Sequence, residues 1–121
     1  MPHMILEYSA NVVDGIDERA LARDLNRELV EAGPFRLEDV KTRVYRAERF
    51  SVAGGDEREA FAHLTLRILE GRDVETRRAA GEHMLGVLRR AFARSLAELD
   101  CQLTVEICEM SPGNYFKASS R

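Results

Sequence analysis

The sequence contains no tryptophan, only three prolines and two cysteines in 121 residues, and no large excess of charge of either sign. Its 18 basic side chains nearly balance 21 acidic ones, which argues against binding to nucleic acid or to a membrane surface. It also lacks a secretion signal and any apolar run long enough to span a bilayer. We therefore expect a cytoplasmic protein whose partners are small molecules or copies of itself.

The cysteines and histidines do not form a metal or redox motif. Cys101 and Cys108 stand seven positions apart in one predicted strand, roughly 23 Å apart and on opposite faces, which is too far for a disulfide. This spacing also differs from C-x-x-C, so we expect buried structural thiols. His3, His63 and His83 lack ligand spacing, and the sequence predicts no metal site.

The first half of the chain predicts a strand, a helix and a second strand. Residues 3–9 alternate between apolar and polar positions, as in a strand. Residues 17–32 form an amphipathic helix, with Asp17 as its N-cap and Gly33-Pro34 at its end. Residues 40–45, rich in β-branched and aromatic side chains, resume a strand.

The second half repeats this order. Residues 62–69 alternate as a strand, and a helix begins after Gly71, with Asp73 as its N-cap, and continues to about Leu99. Residues 101–107 form the last strand. The chain is thus predicted to be one domain, residues 1–121, made of two similar halves of about residues 2–50 and 61–110.

Two successive βαβ units predict an α+β fold, with a four-stranded mixed sheet and two helices on one face. The opposite face is then uncovered, too charged for a core and too apolar to be fully solvated. Packing against copies of the same chain would cover both this face and the strand edges. The residues predicted for this uncovered face are Ile5, Glu7, Lys41, Arg43, Tyr45, Thr65, Arg67, Leu69 and Glu106.

Pro2 is a candidate catalytic base. Removal of Met1 would turn its nitrogen from an amide into an amine directly before the first strand. An α-amino group titrates near pH ~8, and cationic or apolar surroundings lower its pKa toward neutrality, where it can both take and return a proton. Proline is common at the second position of a chain, so this observation alone is weak.

Arg72 is a candidate anion-binding residue because it lies beside the predicted start of the second helix. The guanidinium fork matches the two oxygens of a carboxylate, and the backbone N–H groups of a helix start add to the attraction. The alternative is a solvated turn residue, which the local residues by themselves favour.

Taken together, the residues resemble the 5-carboxymethyl-2-hydroxymuconate isomerase family of the tautomerase superfamily, to which the 4-oxalocrotonate tautomerases and macrophage migration inhibitory factor also belong. The resemblance covers nearly the whole chain, in order, spacing and length. It is carried by Met1-Pro2-His3, Glu7-Tyr8-Ser9, Arg43-Val44, His63-Leu64-Thr65-Leu66, Gly71-Arg72, Glu75-Thr76-Arg77, Ala80-Gly81-Glu82 and Asn114-Tyr115-Phe116-Lys117.

The resemblance implies a homotrimer without metal or cofactor, which ketonises 5-carboxymethyl-2-hydroxymuconate during the meta-cleavage degradation of homoprotocatechuate, itself derived from 4-hydroxyphenylacetate. Pro2 would act as base and then as acid, and Arg72 would bind a carboxylate of a dicarboxylate or tricarboxylate substrate. Arg43 matches one of two family arginines on the second strand, and Lys41 replaces the other. Lysine keeps the charge but loses the bidentate fork.

Two alternatives stay open at this point. The chain could act on another unsaturated 2-oxo acid, which the Lys41 replacement allows, or it could be a non-catalytic trimeric binding module, because fold does not determine function. His3, Tyr45 and Tyr115 could line the pocket, although ordinary packing is more frequent for each. For the tail after residue 113 we favour packing on a neighbouring subunit over closure of the site.

Overall fold

The computed structural model describes residues 1–120, so the last residue of the predicted domain 1–121 lies outside the described residues. Seven main elements follow one another along the chain, with short 3-10 turns at Leu37–Asp39 and Pro112–Asn114. They are β1 (His3–Ser9), α1 (Glu18–Ala32), β2 (Lys41–Ala47), β3 (Glu59–Leu69), α2 (Val74–Ala91), α3 (Ala93–Glu98) and β4 (Asp100–Met110).

The strands form one sheet in the order β2-β1-β3-β4. β1 pairs with β2 in parallel and β3 pairs with β4 in parallel, each pair joined by a helical crossover. β1 and β3 are antiparallel, so the two βαβ units meet along the centre of the sheet. The predicted four-stranded mixed sheet with two main helices is confirmed.

Both main helices begin at the predicted caps. The carboxylate of Asp17 accepts a hydrogen bond from the backbone N–H of Ala20 at 3.1 Å, and that of Asp73 accepts one from Thr76 at 2.8 Å. The bond from Thr76 also lowers the pKa of the Asp73 carboxyl. Each cap satisfies a backbone donor that the first helical turn leaves without a partner.

The core lies between the helices and one face of the sheet. Apolar residues on the inner stripes of α1 and α2 are buried against alternate residues of β1 and β3, which matches the predicted periodicity. Among residues 1–120, none of the helices combines the length and apolar character needed to cross a bilayer. The fully buried residues include Met4, Leu6, Leu25, Leu29, Leu64, Leu66, Ala80, Met84, Leu88 and Phe92.

The opposite face of the sheet has no covering layer within the described chain. The nine residues predicted for this face are all exposed or half-buried, and the Tyr45 side chain is 56% exposed. The two cysteines are half-buried free thiols rather than fully buried ones, contrary to expectation. Their strand, β4, has one free edge, which leaves its side chains more accessible than those of the central strands.

The prediction of one continuous helix to about Leu99 is wrong. The helix breaks at Phe92, whose φ of −110° and ψ of 27° depart from helical values. Phe92 is fully buried and its ring lies 5.7 Å from that of Tyr8. Asp14, from the loop after β1, accepts from the backbone N–H groups of Arg94 at 2.8 Å and Ser95 at 3.3 Å. These distant groups start α3 as a separate helix.

Candidate active site

The chain terminus lies at the start of a central strand. In the register of the sheet, His3 is opposite Lys41 of β2 on one side and Arg67 of β3 on the other. The Pro2 carbonyl accepts a hydrogen bond from the backbone N–H of Lys41 at 3.2 Å, and Pro2 itself is buried. The candidate base is therefore held by the sheet rather than carried on a loose end.

Pro2 and Arg72 line the same crevice. Because β1 and β3 are antiparallel, the start of β1 lies beside the end of β3, and Arg72 follows that end by three residues. The crevice has a volume of only about 20 Å³ while Met1 is present, and Met1 forms part of its wall. The other lining residues are Phe35, Ile68 and Leu69. The fold thus brings together two candidate residues that are seventy positions apart.

The guanidinium of Arg72 has fixed contacts, but not all of its hydrogen-bond donors have a partner in the described chain. Its carbon lies 4.9 Å from the centre of the Phe35 ring, a cation–π distance. Nη1 donates to the Leu69 carbonyl at 3.4 Å, whereas the buried Nε has no hydrogen-bond partner among residues 1–120. Buried polar groups without partners are rare. Arg72 therefore retains the capacity to bind an anion in the crevice.

Phe35 was missed by the sequence reasoning. It follows the Gly33-Pro34 end of α1 and is 6% exposed. Its ring packs against the guanidinium of Arg72. An apolar aromatic residue in a short loop after a helix was the available signal, but it predicts burial and not a role beside a cation.

Lys41 affects the chain terminus mainly through its charge. Its ammonium group donates to the Asp39 carbonyl at 2.9 Å. Partial burial of the Met1 amine lowers the pKa of that amine, and the charges of Lys41 and Lys117 lower it further, although Asp39 opposes them. The surroundings of the terminus therefore shift an amine placed there toward the neutral form, which is the form that can accept a proton.

Arg43 does not line the Arg72 crevice and contacts His3. Its Nη1 is 2.9 Å from Nδ1 of His3, and Nε2 of His3 is 3.0 Å from the hydroxyl oxygen of Tyr115. The Met1 amine donates to the same hydroxyl oxygen at 3.3 Å. These contacts place Tyr115 against the terminus of its own chain, and packing of the tail on a neighbouring subunit stays a prediction.

The remaining predicted candidates lie elsewhere. Tyr45 is paired with Glu7 in the sheet register, further along β2 from the terminus. Within residues 1–120, no group of three or more His, Cys, Asp or Glu side chains is arranged to hold a metal ion. The groups around the terminus are an amine, several cations and a phenol, which suit acid–base chemistry on an anionic substrate.

The fold is that of the tautomerases. A solved structure described as a fused 4-OT wild-type symmetric trimer superposes with a TM-score of 0.74 at 17% identity, over 96% of this chain and 91% of that chain. At this identity the likeness shows the fold alone.

The chain belongs to the 5-carboxymethyl-2-hydroxymuconate isomerase family, whose family model matches residues 2–120. It is 32% identical over 120 residues to the 5-carboxymethyl-2-hydroxymuconate Delta-isomerase of Escherichia coli, covering 99% of this chain and 95% of that one. A crystal structure of a 5-carboxymethyl-2-hydroxymuconate isomerase from Deinococcus radiodurans R1 superposes with a TM-score of 0.88 at 30% identity, over 98% of this chain and 90% of that chain. The chain is therefore an isomerase of the tautomerase superfamily.

Proposed function

We propose that this isomerase ketonises 5-carboxymethyl-2-hydroxymuconate by a 1,3- or 1,5-proton shift, with the Pro2 amine as acid and base after removal of Met1. The family membership supports the reaction. The observation that carries the residue assignment is the shared crevice of Pro2 and Arg72. The proposed setting is the cytoplasmic meta-cleavage degradation of homoprotocatechuate.

The proposed reaction moves one proton and needs no other reactant. The Pro2 amine takes the proton from the enol hydroxyl at C2, and the electron pair left on that oxygen spreads into the conjugated chain as a dienolate. The protonated amine then delivers the proton to C3 or C5, which leaves a ketone at C2. A single group near neutrality can perform both transfers.

Removal of Met1 would supply both the base and the space. With Met1 present, the Pro2 nitrogen is an amide and cannot accept a proton. The crevice of about 20 Å³ is also far below the roughly 300 Å³ or more that small-molecule sites usually provide. Pro2 follows Met1 in the chain and is buried, whereas Met1 is half-buried. We expect burial and the nearby cations to keep its amine pKa below the ordinary value.

Three cations are proposed to bind the substrate carboxylates. Arg72 is assigned one carboxylate, since its buried Nε lacks a partner within the described chain. Lys41 and Arg43 lie two positions apart on β2 and project from the same sheet face. Arg43 has five N–H donors, of which one group faces His3. Lys41 would act as a point charge, because lysine cannot form a bidentate pair.

The proposed assembly is a homotrimer of one-domain subunits. The uncovered sheet face and the free edge of β4, an 11-residue strand, are surfaces that a second copy could cover. The fused 4-OT of the same fold is a symmetric trimer. Sedimentation analysis of the processed protein tests this, and a monomer under assay conditions would contradict it.

The function is tested by ultraviolet-monitored ketonisation of 5-carboxymethyl-2-hydroxymuconate. We compare protein whose intact mass shows loss of Met1 with protein that carries a short N-terminal extension, which keeps Pro2 in an amide. We expect the extension to lower kcat by about 10²–10⁴-fold, the usual contribution of a general acid–base group. Removing the extension to leave Pro2 first should restore activity.

Pro2→Ala is the matched variant, because alanine keeps a terminal amine of different basicity. We expect partial activity, below that of the processed wild type. Equal activity would remove Pro2 from the mechanism. Absence of activity in every form would favour the alternative of a trimeric binding module.

A second candidate substrate class is supported by Lys41, which stands where the family usually has arginine. Another unsaturated 2-oxo acid, with a different carboxylate placement, would suit a point charge at that position. A series of 2-hydroxydienoates that differ in carboxylate number, assayed by kcat/KM, distinguishes the two. The carboxymethyl compound should be the best substrate if the first assignment holds.

A further inference from the structure

A hydrogen-bonded chain of three side chains reaches the terminus, and the proposed mechanism gives no role to two of them, His3 and Tyr115. It runs from Arg43 to His3 at 2.9 Å, from His3 to Tyr115 at 3.0 Å, and ends where the Met1 amine lies 3.3 Å from the Tyr115 hydroxyl. The rings of His3 and Tyr115 meet edge to face, with centroids 6.1 Å apart. The phenol is therefore held by defined contacts in the short segment that follows β4.

The chemistry of arginine determines the direction of these hydrogen bonds. A guanidinium has only donors, so Arg43 donates and Nδ1 of His3 accepts. The neutral imidazole must then carry its proton on Nε2, which donates to the Tyr115 oxygen. Burial lowers the pKa of His3, followed by the charges of Arg43, the terminal amine, Lys41 and Arg67. This keeps the ring neutral and the tautomer unique near neutral pH.

Met1 links the phenol to the Arg72 crevice. Its amine contacts Tyr115, while the residue itself lines the crevice with Pro2 and Arg72. Loss of Met1 therefore joins the two regions, with the new Pro2 amine between them. His3 continues to use one lone pair of the Tyr115 oxygen, and the O–H bond can rotate toward the position that the Met1 amine held.

We propose that Tyr115 is a further catalytic residue, whose hydroxyl donates a hydrogen bond to the C2 oxygen of the substrate, and that His3 and Arg43 are positioning residues that hold it there. This inference rests on the proposed function of the Pro2 site.

A donor at the C2 oxygen acts on the reaction differently from the cations at the carboxylates. The substrate carboxylates are charged throughout the reaction, so the cations bind them equally in the ground state and in the transition state. The C2 oxygen is neutral in the enol, becomes negative when the Pro2 amine removes its proton, and is neutral again in the ketone. Tyr115 donates a hydrogen bond throughout and loses no proton. An oriented donor at an oxygen where charge develops raises kcat rather than lowering KM.

The first test compares two tyrosine variants in the ketonisation assay. Tyr115→Phe should lower kcat about 100-fold, as expected for loss of one oriented donor, with KM within about threefold of the wild type. Tyr45→Phe removes the same hydroxyl from an exposed tyrosine of β2 and should leave both constants unchanged. Equal kcat values for Tyr115→Phe and the wild type would overturn the inference.

The positioning role is tested at His3. His3→Ala should lower kcat by about tenfold through loss of the fixed donor to Tyr115, whereas His3→Gln, which keeps a side-chain N–H, should recover part of that loss. In a Tyr115→Phe background, His3→Ala should have little further effect. If the double variant instead lost kcat by the product of the two single losses, His3 would not act through Tyr115.

A measurement on the unmutated enzyme avoids any folding defect. The chain has three tyrosines, so carbon-13 labelling of their phenolic carbon should produce three NMR signals. The Tyr115 signal should move on binding of 2-oxohexanedioate and much less with hexanedioate, which lacks the C2 oxygen. Equal shifts with both ligands would contradict the assignment.

The two levels of proposal fail differently. An inactive wild type with Met1 removed refutes the proposed function and this inference with it. An active wild type that depends on Pro2, combined with full activity of Tyr115→Phe, refutes only the role of Tyr115.

Discussion

Two crevices at opposite ends of the central strand β1 differ in whether their polar groups already have hydrogen-bond partners. At its carboxyl end lies a crevice of about 340 Å³, whose lining includes Tyr8, Asp14, Glu18 and Arg46. At its amino end the Pro2 crevice measures only about 20 Å³. The larger cavity nevertheless carries the weaker case for a binding site.

The polar groups at the larger cavity bind one another. The Tyr8 hydroxyl donates to Glu18 at 3.0 Å, and Arg46 donates to the Ala10 carbonyl at 3.3 Å. Asp14 accepts backbone N–H groups at the start of α3. At the smaller crevice, by contrast, Arg72 Nε has no partner within residues 1–120. Unsatisfied charged groups distinguish a site better than volume does.

The largest effect that separates the two ends should come from their arginines. Arg72→Ala should lower kcat/KM by a factor equivalent to about 1.5–3 kcal/mol of transition-state stabilisation, because it removes one charged hydrogen-bonding partner of a substrate carboxylate. Arg46→Ala, the control at the other end, should change kcat/KM less than twofold. Steady-state ketonisation kinetics measure both.

A substrate lacking one carboxylate sharpens this comparison. If Arg72 binds that carboxylate, the gap between wild type and Arg72→Ala should narrow with the truncated substrate. Equal effects of the two arginine variants would remove the distinction drawn between the two ends.

A smaller effect is expected in the titration of the Pro2 amine. We expect the neighbouring cations to lower its pKa when the site is empty and bound carboxylates to neutralise those cations, so the pKa should rise on binding of hexanedioate. NMR titration of nitrogen-15-labelled proline, with and without this ligand, measures the change. An unchanged or lower pKa in the complex would contradict the electrostatic account.

The smallest effect should come from Tyr8 at the other end, and it should concern stability alone. Tyr8→Phe removes the hydrogen bond to Glu18 and should lower the free energy of unfolding by about 1 kcal/mol, with kcat/KM unchanged. Urea unfolding measures the loss. A substantial fall in kcat/KM would show that this end also takes part in catalysis.

The pH dependence of that loss has a defined sign. Burial and the bond to Glu18 raise the pKa of Tyr8 from its ordinary 10.0 to about 12. The folded state therefore favours the neutral phenol, and this stabilisation is complete below pH 10 and is lost as the pH rises toward 12. The difference between wild type and Tyr8→Phe should narrow over that interval. A difference that stays constant there would contradict the raised pKa.

Most of the fold could be predicted because its signals are local. Apolar periodicity identified the strands and the buried helix stripes, and Asp17 and Asp73 are caps whose partners lie three residues away. The break at Phe92 could not be predicted in this way. Its causes are the packing of Phe92 against Tyr8 and the hydrogen bonds that Asp14 accepts, and both partners come from the other half of the chain.

The candidate site was predictable in its residue types more than in its connections. Pro2, Arg72, Lys41 and Arg43 were identified from the sequence and its family resemblance, and their binding roles stay predictions. The ring of Phe35 beneath Arg72 and the contact of Arg43 with His3 had no local signal, since each joins segments far apart in the chain.

The sequence by itself determined the order of strands and helices, the buried apolar stripes of the helices, and a proline directly after the first methionine. Only the tertiary structure decided that this proline shares a crevice with Arg72 and that Tyr115 returns to the same terminus. The physical reason is range. Periodicity and capping act within a few residues, whereas the antiparallel pairing of β1 with β3 sets which distant chain ends meet.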